Sequence, residues 1–361
     1  MIEARFTTDA FPWPPWPIRD MLEGRTPKIA HKRRCAVWSA RHIIVRLSSF
    51  LMESYLFLLT VKRKLSPLYY STNSAGFQPV FLFLYEFFLI ILKGTHLLMS
   101  KFKKTIYTGA ATAIITPFKN GAIDYASFKG IIEQQIAESI DAIVVAGTTG
   151  EAATLTHEEH MACMKFVVDT VAGRVPVIAG TGSNDTAYAI ELSQYACEIG
   201  ADALLLVTPY YNKATPKGLI KSFMDTADAT DKPIILYNVP SRTGCNISLP
   251  VYKELAKHER IVAVKEASGN ISAIAELIAE CGDSLDVYSG NDDQIVPIMS
   301  LGGKGVISVL SNVLPKETHD MTKLCLDGNF KDAAALQLKY LDLINALFCE
   351  VNPIPAKTAM A

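Results

Sequence analysis

The chain has no Cys-x-x-Cys pair, and its seven cysteines, at positions 35, 163, 197, 245, 281, 325 and 349, are scattered along it. That distribution offers neither a zinc framework nor a disulfide one, and fits a reducing, cytoplasmic setting in which most thiols are buried as small hydrophobes. Excess charge of either sign is also missing: 35 Lys and Arg stand against 36 Asp and Glu, for a net charge of -1. No polyanion is implied, and no nucleic-acid partner is expected. A Gly-x-Gly-x-x-Gly turn and a Walker loop are both lacking, which argues against dinucleotide and nucleoside-triphosphate binding. His157-Glu-Glu-His160 misses the His-Glu-x-x-His spacing of zinc proteases, so no metal is expected.

Long hydrophobic runs are missing as well. A spanning helix needs ~20 apolar residues. The two greasy stretches, Phe50 to Val61 and Val80 to Leu92, fall short, and Glu86 interrupts the second. Both lie in residues 1–98, which differ in texture from the remainder, with Phe11-Pro-Trp-Pro-Pro-Trp-Pro17 and a basic tract, Lys32-Arg-Arg34. A membrane-proximal hairpin, a targeting segment, and sequence outside the working protein are the three readings of this extension, and the last is favoured. Met99-Ser-Lys-Phe-Lys-Lys104 is a natural polar start, and translation is expected to begin at Met99. Native peptides from residues 1 to 90 in mass spectrometry would overturn this.

From residue 105 the pattern becomes regular. Short apolar runs end on Thr, Gly, Asn or Ser, each followed by a segment of helical period. The runs are Ala111 to Thr116, Ala142 to Ala146, Val175 to Ala179, Ala203 to Thr208, Pro233 to Tyr237, Ile261 to Lys265, Leu285 to Tyr288 and Gly305 to Val309. They are continuous rather than alternating, as strands covered on both faces must be, which calls for a parallel sheet with crossover helices. Eight such units at roughly 20- to 35-residue spacing predict a closed (β/α)8 TIM barrel over 99–312, with an open doubly wound sheet as the alternative. Thr156-His-Glu-Glu159 is a capping box that starts one helix, and Asp124 with Ser127 precedes another. Leu314 to Phe348 reads as continuous helix within a C-terminal helical region, 313–361.

Lys265 closes the sixth run, where an ammonium would leave water at a cost of several kcal/mol unless it is stabilised. Either an acid such as Glu266 pairs with it, or desolvation lowers its pKa and leaves a usable amine. At a pKa of about 10.4 only ~0.1% of the amine is free near pH 7.4, whereas about 8 frees roughly a fifth. Barrel chemistry sits at the carboxyl ends of strands, so Tyr237, Thr148 and Thr149 are expected to share a pocket with Lys265. The amides and hydroxyls of Gly147-Thr-Thr-Gly-Glu151 suit a small carboxylate, unless the turn is only tight packing. Arg242 can clamp a second carboxylate, unless it is a surface ion-pair residue.

Taken together, Gly147-Thr-Thr-Gly-Glu151, Thr208-Pro-Tyr-Tyr-Asn-Lys213, Tyr237-Asn-Val-Pro-Ser-Arg-Thr-Gly244, Val264-Lys-Glu-Ala-Ser-Gly269 and Gly305-Val-Ile-Ser308 resemble the dihydrodipicolinate (4-hydroxy-tetrahydrodipicolinate) synthase family of the N-acetylneuraminate lyase superfamily. The resemblance runs from about Met99 to the end. It implies a cofactor-free condensation of pyruvate with L-aspartate-4-semialdehyde on the diaminopimelate route to lysine. By similarity Lys265 forms the Schiff base, Tyr237 is the phenol beside it, and Thr148 and Tyr211 complete a proton relay, with Tyr211 lent by a neighbouring subunit of a homodimer or homotetramer. Arg242 would hold the semialdehyde carboxylate, and Thr149, Gly290 and Ile307 would line the pyruvate site. Ala153, His157, His160, Asn184 and Tyr210 match positions lining a lysine-inhibitor pocket.

The chain departs from the family in two places. Tyr188 stands where lysine-sensitive members carry a glutamate, and losing that charge-assisted contact, worth roughly 1.5 to 3 kcal/mol, implies weak or absent feedback. The sequence also stops at Asn352-Pro-Ile-Pro-Ala-Lys-Thr-Ala-Met-Ala361, where relatives continue for a few dozen residues of helix. This resembles a truncated frame and puts tetramer formation in question. The rival readings are a sibling Schiff-base aldolase, resembling N-acetylneuraminate lyase or a keto-deoxy-sugar-acid aldolase, and a non-catalytic, membrane-tethered barrel. Arg242 in its Ser-Arg-Thr-Gly setting and the Thr148-Thr149 pair favour the synthase over the sibling, and a non-catalytic barrel would have no reason to keep the relay hydroxyls together with the amine.

Overall fold

Eight parallel strands close on themselves in the computed structural model, which describes residues 105–361. The strands are β1 Gly109–Ala113, β2 Ala142–Val145, β3 Val177–Gly180, β4 Ala203–Val207, β5 Ile234–Asn238, β6 Ile261–Glu266, β7 Asp286–Ser289 and β8 Gly305–Ser308. Each pairs with its sequence neighbour, and β1 also pairs with β8 through Gly109–Gly305 to Thr112–Ser308, which leaves the sheet no open edge. The closed TIM barrel expected from the apolar runs is therefore the observed architecture. The greasy stretches of residues 50–92 and the start at Met99 lie outside the described residues. Among the described residues no helix is long and apolar enough to cross a membrane.

The pleat explains why the runs are continuous. One set of side chains, including Ala111, Val144, Ile178, Leu205, Ile235, Ala263 and Ile307, packs together as the barrel interior. The alternate set, including Ile143, Ala179, Leu204, Leu236, Val264 and Val306, packs with Phe128, Val167, Leu192 and Leu277 of the surrounding helices. Tyr107, ahead of β1, stacks on Tyr288 of β7 at 4.4 Å between ring centres and fills the interior near the start of β1.

The outer helices are α1 Tyr125–Ala137, α2 His157–Val171, α3 Thr186–Glu198, α4 Pro216–Asp228, α5 Pro240–Thr243, α6 Leu249–Leu255, α7 Ile271–Cys281 and α8 Ile295–Ser300. Thr156 and Glu159 form the expected capping box at the start of α2, and Asp124 caps α1 by accepting from Ala126 and Ser127. A short hairpin, Phe118–Lys119 with Ala122–Ile123, follows β1. Two-residue strands carry too little pattern to be read from sequence.

Beyond β8 the chain is helical but not one helix. It divides into α9 Pro315–Leu326, α10 Phe330–Lys339 and α11 Leu341–Ala346, with α12 Ile354–Met360 at the end. The first break falls at Gly328, whose φ of 80 suits glycine, followed by Asn329, which caps α10.

Candidate active site

Lys265 is one residue from the end of β6 and faces the barrel interior, sharing a side of the strand with Ala263. It is 6% exposed, and its Nζ lies 4.3 Å from the centre of the Tyr237 ring. Burial pulls the amine down from 10.5 to about 8; Asp292 opposes this electrostatically and Arg242 adds to it. Of the two outcomes open to a lysine in this position, its burial favours the depressed amine. Glu266 is not its partner. Adjacent residues of a strand point to opposite faces, and the Glu266 carboxylate lies on the outer face, where it accepts from Asn238, Tyr252 and the Ser268 amide.

Tyr237 stands opposite Lys265 in the β5–β6 register. Burial raises its phenol pKa, against lowering by Arg242 and by a hydrogen bond with Thr148, and Glu266 raises it further. The group is thus a protonated phenol that can give and regain a proton. Thr148 follows β2 on a turn built by close backbone approach. A Cβ on Gly180 of β3 would sit 2.2 Å from the Ala146 carbonyl oxygen, so only glycine lets this turn lie against β3. Thr149 is 2% exposed and accepts from Asn352 Nδ2 at 2.9 Å.

Gly290 and Ile307 belong to the barrel interior around Lys265 and Tyr237. A Cβ at Gly290 would come within 3.2 Å of Lys265 Cε, so its missing side chain leaves room beside the lysine stem. Ile307 is fully buried in the interior cluster. A cavity of about 510 Å³ is lined by Thr148, Tyr237 and Arg242 together with Ala153, His160, Tyr188 and Tyr210. Thr148 and Tyr237 of the expected catalytic set therefore share one space with Ala153, His160 and Tyr210 of the expected inhibitor pocket, whereas Lys265 and Thr149 are not among the residues lining it. His157 stands at its margin, its ring 5.7 Å from that of Tyr188, and the Asn184 carbonyl accepts from Asn212. His160 Nε2 donates to the Gly180 carbonyl at 2.8 Å, and burial lowers the pKa of its ring.

Tyr211 is not brought into this cavity. It is 91% exposed and holds a left-handed φ of 69, a conformation that costs a non-glycine residue of order 1 to 3 kcal/mol.

Several residues at the site were not anticipated from sequence. Val351 to Ile354 line the cavity, and Lys357 pairs with Glu151, so the final segment crosses the mouth of the barrel. Asp292 is buried; one carboxylate oxygen accepts from the Val309 and Leu310 amides, and the other has no hydrogen-bond partner. It is one of the charges felt by Lys265.

Comparison with known proteins agrees with this geometry. The Dihydrodipicolinate synthetase family profile matches residues 106–361. The 4-hydroxy-tetrahydrodipicolinate synthase of Lachnoclostridium phytofermentans is 56% identical over 257 residues, covering 71% of this chain and 87% of the relative. That of Acetivibrio thermocellus is 54% identical over 258 residues, covering 72% and 88%. A crystal structure of the chloride-inhibited dihydrodipicolinate synthase of Acinetobacter baumannii complexed with pyruvate superposes with a TM-score of 0.70 at 42% identity, over 71% of this chain and 88% of that one. By its barrel, its family match and its relatives, this chain belongs to the dihydrodipicolinate synthetase family.

Proposed function

We propose that the chain condenses pyruvate with L-aspartate-4-semialdehyde through a Schiff base on Lys265, giving 4-hydroxy-tetrahydrodipicolinate for lysine synthesis through diaminopimelate. The observation that carries this reading is the buried Lys265 amine, held near pKa 8 beside the Tyr237 ring. Its neutral form attacks the keto carbon of pyruvate, water leaves, and the iminium so acidifies the adjacent methyl carbon that a proton passes from it into the Tyr237–Thr148 relay. The resulting enamine attacks the semialdehyde's aldehyde carbon, whose oxygen takes up a proton as the iminium re-forms; the semialdehyde's own amino group then attacks the iminium carbon, closing the ring and expelling the Lys265 amine. The iminium is itself the electron sink, so the chemistry calls for no metal or organic cofactor.

Tyr237 and Thr148 carry protons to and from the carbinolamine oxygen and the new hydroxyl. Thr149 and the turn amides take the pyruvate carboxylate, with Gly290 and Ile307 shaping its niche. Arg242 takes the carboxylate of the semialdehyde. A sibling aldolase would share Lys265 and Tyr237, but Arg242 opening onto the same cavity as Tyr237 favours a second substrate with its own carboxylate. The assay is condensation of the two substrates by a chain starting at Met99. Turnover is expected, and micromolar lysine is expected to leave the rate unchanged because Tyr188 offers no carboxylate to the ligand's ammonium. A chain inert toward this pair but active on N-acetylneuraminate would favour the sibling, and micromolar inhibition by lysine would refute the feedback reading.

The relay is completed across a homodimer or homotetramer. A tyrosine that is almost wholly exposed on a strained backbone is suited to entering a neighbouring copy's site rather than its own. Lys265→Ala and Tyr211→Phe, each impaired alone, should therefore recover activity when their subunits are mixed, since a hybrid has one site with both groups intact. No recovery in hybrids verified by native mass spectrometry would place Tyr211 in its own subunit's site.

A further inference from the structure

Tyr237 and Lys265 are each followed by a polar residue on the opposite side of the barrel wall. Asn238 and Glu266 are register partners one step beyond the Tyr237–Lys265 pair, and both are buried, at 1% and 4% exposure. Other strands place apolar side chains on this helix-facing side, such as Val145 and Leu206. A buried carboxylate there is a costly substitute unless it is hydrogen-bonded, and this one is fully engaged. Asn238 Nδ2 donates to both Glu266 oxygens at 3.1 Å, the Tyr252 hydroxyl donates to Oε2 at 2.9 Å, and the Ser268 amide donates to Oε1 at 2.8 Å. Every one of these donors is neutral.

Asn238 reaches in a second direction. Its Oδ1 accepts from the Ile247 amide at 3.1 Å, and its Nδ2 donates to Asn246 Oδ1 at 2.9 Å. These bonds close the loop 239–247, which contains α5 and Arg242. The main chain continues the link: the Asn238 carbonyl accepts from Ala267, and the Glu266 carbonyl accepts from Gly290, the glycine against the Lys265 stem. A single buried network therefore ties together the strand ends bearing Tyr237 and Lys265, the loop bearing Arg242, and the residue that clears space beside the amine.

We infer that Asn238 and Glu266 form a clamp behind the barrel wall that sets the spacing of Tyr237, Lys265 and the Arg242 loop, and that both are positioning residues of the reaction proposed above. The inference rests on that reaction, because it assigns the three groups a common task. Misplacing reacting groups by about 1 Å can cost ~100-fold in rate, so a device that holds two strand ends and a loop in register has a kinetic signature.

Asn238→Asp tests it by exchanging one amide nitrogen for oxygen. The bond from Ile247 survives, but two carboxylates now face each other, and such a pair avoids double ionisation by binding a proton. With pyruvate and borohydride measuring imine formation, and steady-state kinetics measuring the semialdehyde, the variant is expected to lose about 10- to 100-fold in kcat/KM at pH 8, with KM for the semialdehyde raised. The deficit relative to wild type should narrow toward pH 6 as the pair takes up its proton. A purely structural role would lower the melting temperature without producing that pH-dependent ratio.

Folded Asn238→Asp with kinetics within twofold of wild type from pH 6 to 9, or with a loss that does not vary with pH, overturns the clamp. Should this variant not fold, Glu266→Gln decides: it keeps the side chain's size while removing its charge and one acceptor. Wild-type kinetics in Glu266→Gln overturn the clamp, whereas a raised semialdehyde KM with lysine still trappable supports it. Wild-type protein in the same experiment separates the two levels. If it forms no pyruvate adduct, the proposed reaction fails and the clamp with it; if it does while the variants match it, only the clamp fails.

Discussion

Lys265→Met is expected to abolish condensation, with a loss of at least ~1,000-fold, and at the same time to make the protein more stable at pH 7. The first effect follows from removing the only atom that forms the imine; pyruvate and borohydride should then leave no adduct, whereas wild type gains one on Lys265. The second follows from linkage. The folded-state pKa lies near 8 against 10.5 for the free side chain, so between those values the unfolded chain binds more protons than the folded one. Wild-type stability therefore rises with pH across that window. Below about pH 8 the burial cost is fully present, at roughly 3 kcal/mol. Methionine fills a similar volume and carries no charge, so it should raise the melting temperature at pH 7 by on the order of 5 °C, a gain that disappears above pH ~10.5. Melting curves at pH 7 and pH 10.5 check the sign. A variant less stable than wild type at pH 7, or an advantage that persists unchanged at high pH, would mean that the amine is not held under strain by its burial.

The parts of this protein that the sequence made legible are those in which one physical demand governs many adjacent residues. Strands covered on both faces must be apolar at every position, so all eight runs stand out, and a lysine ending one of them breaks the pattern at the point where the chemistry sits. The break between α9 and α10 was also written locally, as Asp327-Gly328-Asn329, but helical period on both sides of it masked the signal.

Contacts between distant residues are different in kind. Asn352 reaches Thr149 across a separation of 203 residues, and nothing near either residue advertises the contact. Asp292 is conspicuous only once β7 and β8 are side by side and the Val309 and Leu310 amides point at it. Glu266 lies between these cases. Its neighbour in sequence made it a natural partner for Lys265, yet strand parity alone sends it through the wall to Asn238 and Tyr252.

Tyr237→Phe is expected to reduce kcat by about 100- to 1,000-fold while leaving Lys265 able to form its pyruvate adduct, though more slowly. The phenol is pushed up by burial, and the pull of Arg242 and Thr148 in the other direction does not reverse the shift, so it remains protonated across the neutral range. Its ionisation therefore contributes no limb to the pH profile in that range. The acid limb belongs to Lys265, whose free amine grows as pH rises toward about 8. Removing the hydroxyl should accordingly lower the whole profile without moving the acid limb, because the ring that flanks the amine at 4.3 Å is retained. Thr148→Val should act on the same chain of protons, and the double variant should be little worse than Tyr237→Phe alone, since a relay broken at one point gains nothing from a second intact member. Two findings would count against the relay: a Tyr237→Phe enzyme within threefold of wild type, or single-variant losses that simply multiply in the double. A displaced acid limb would instead show that the phenol acts by tuning the lysine, which the retained ring contact argues against.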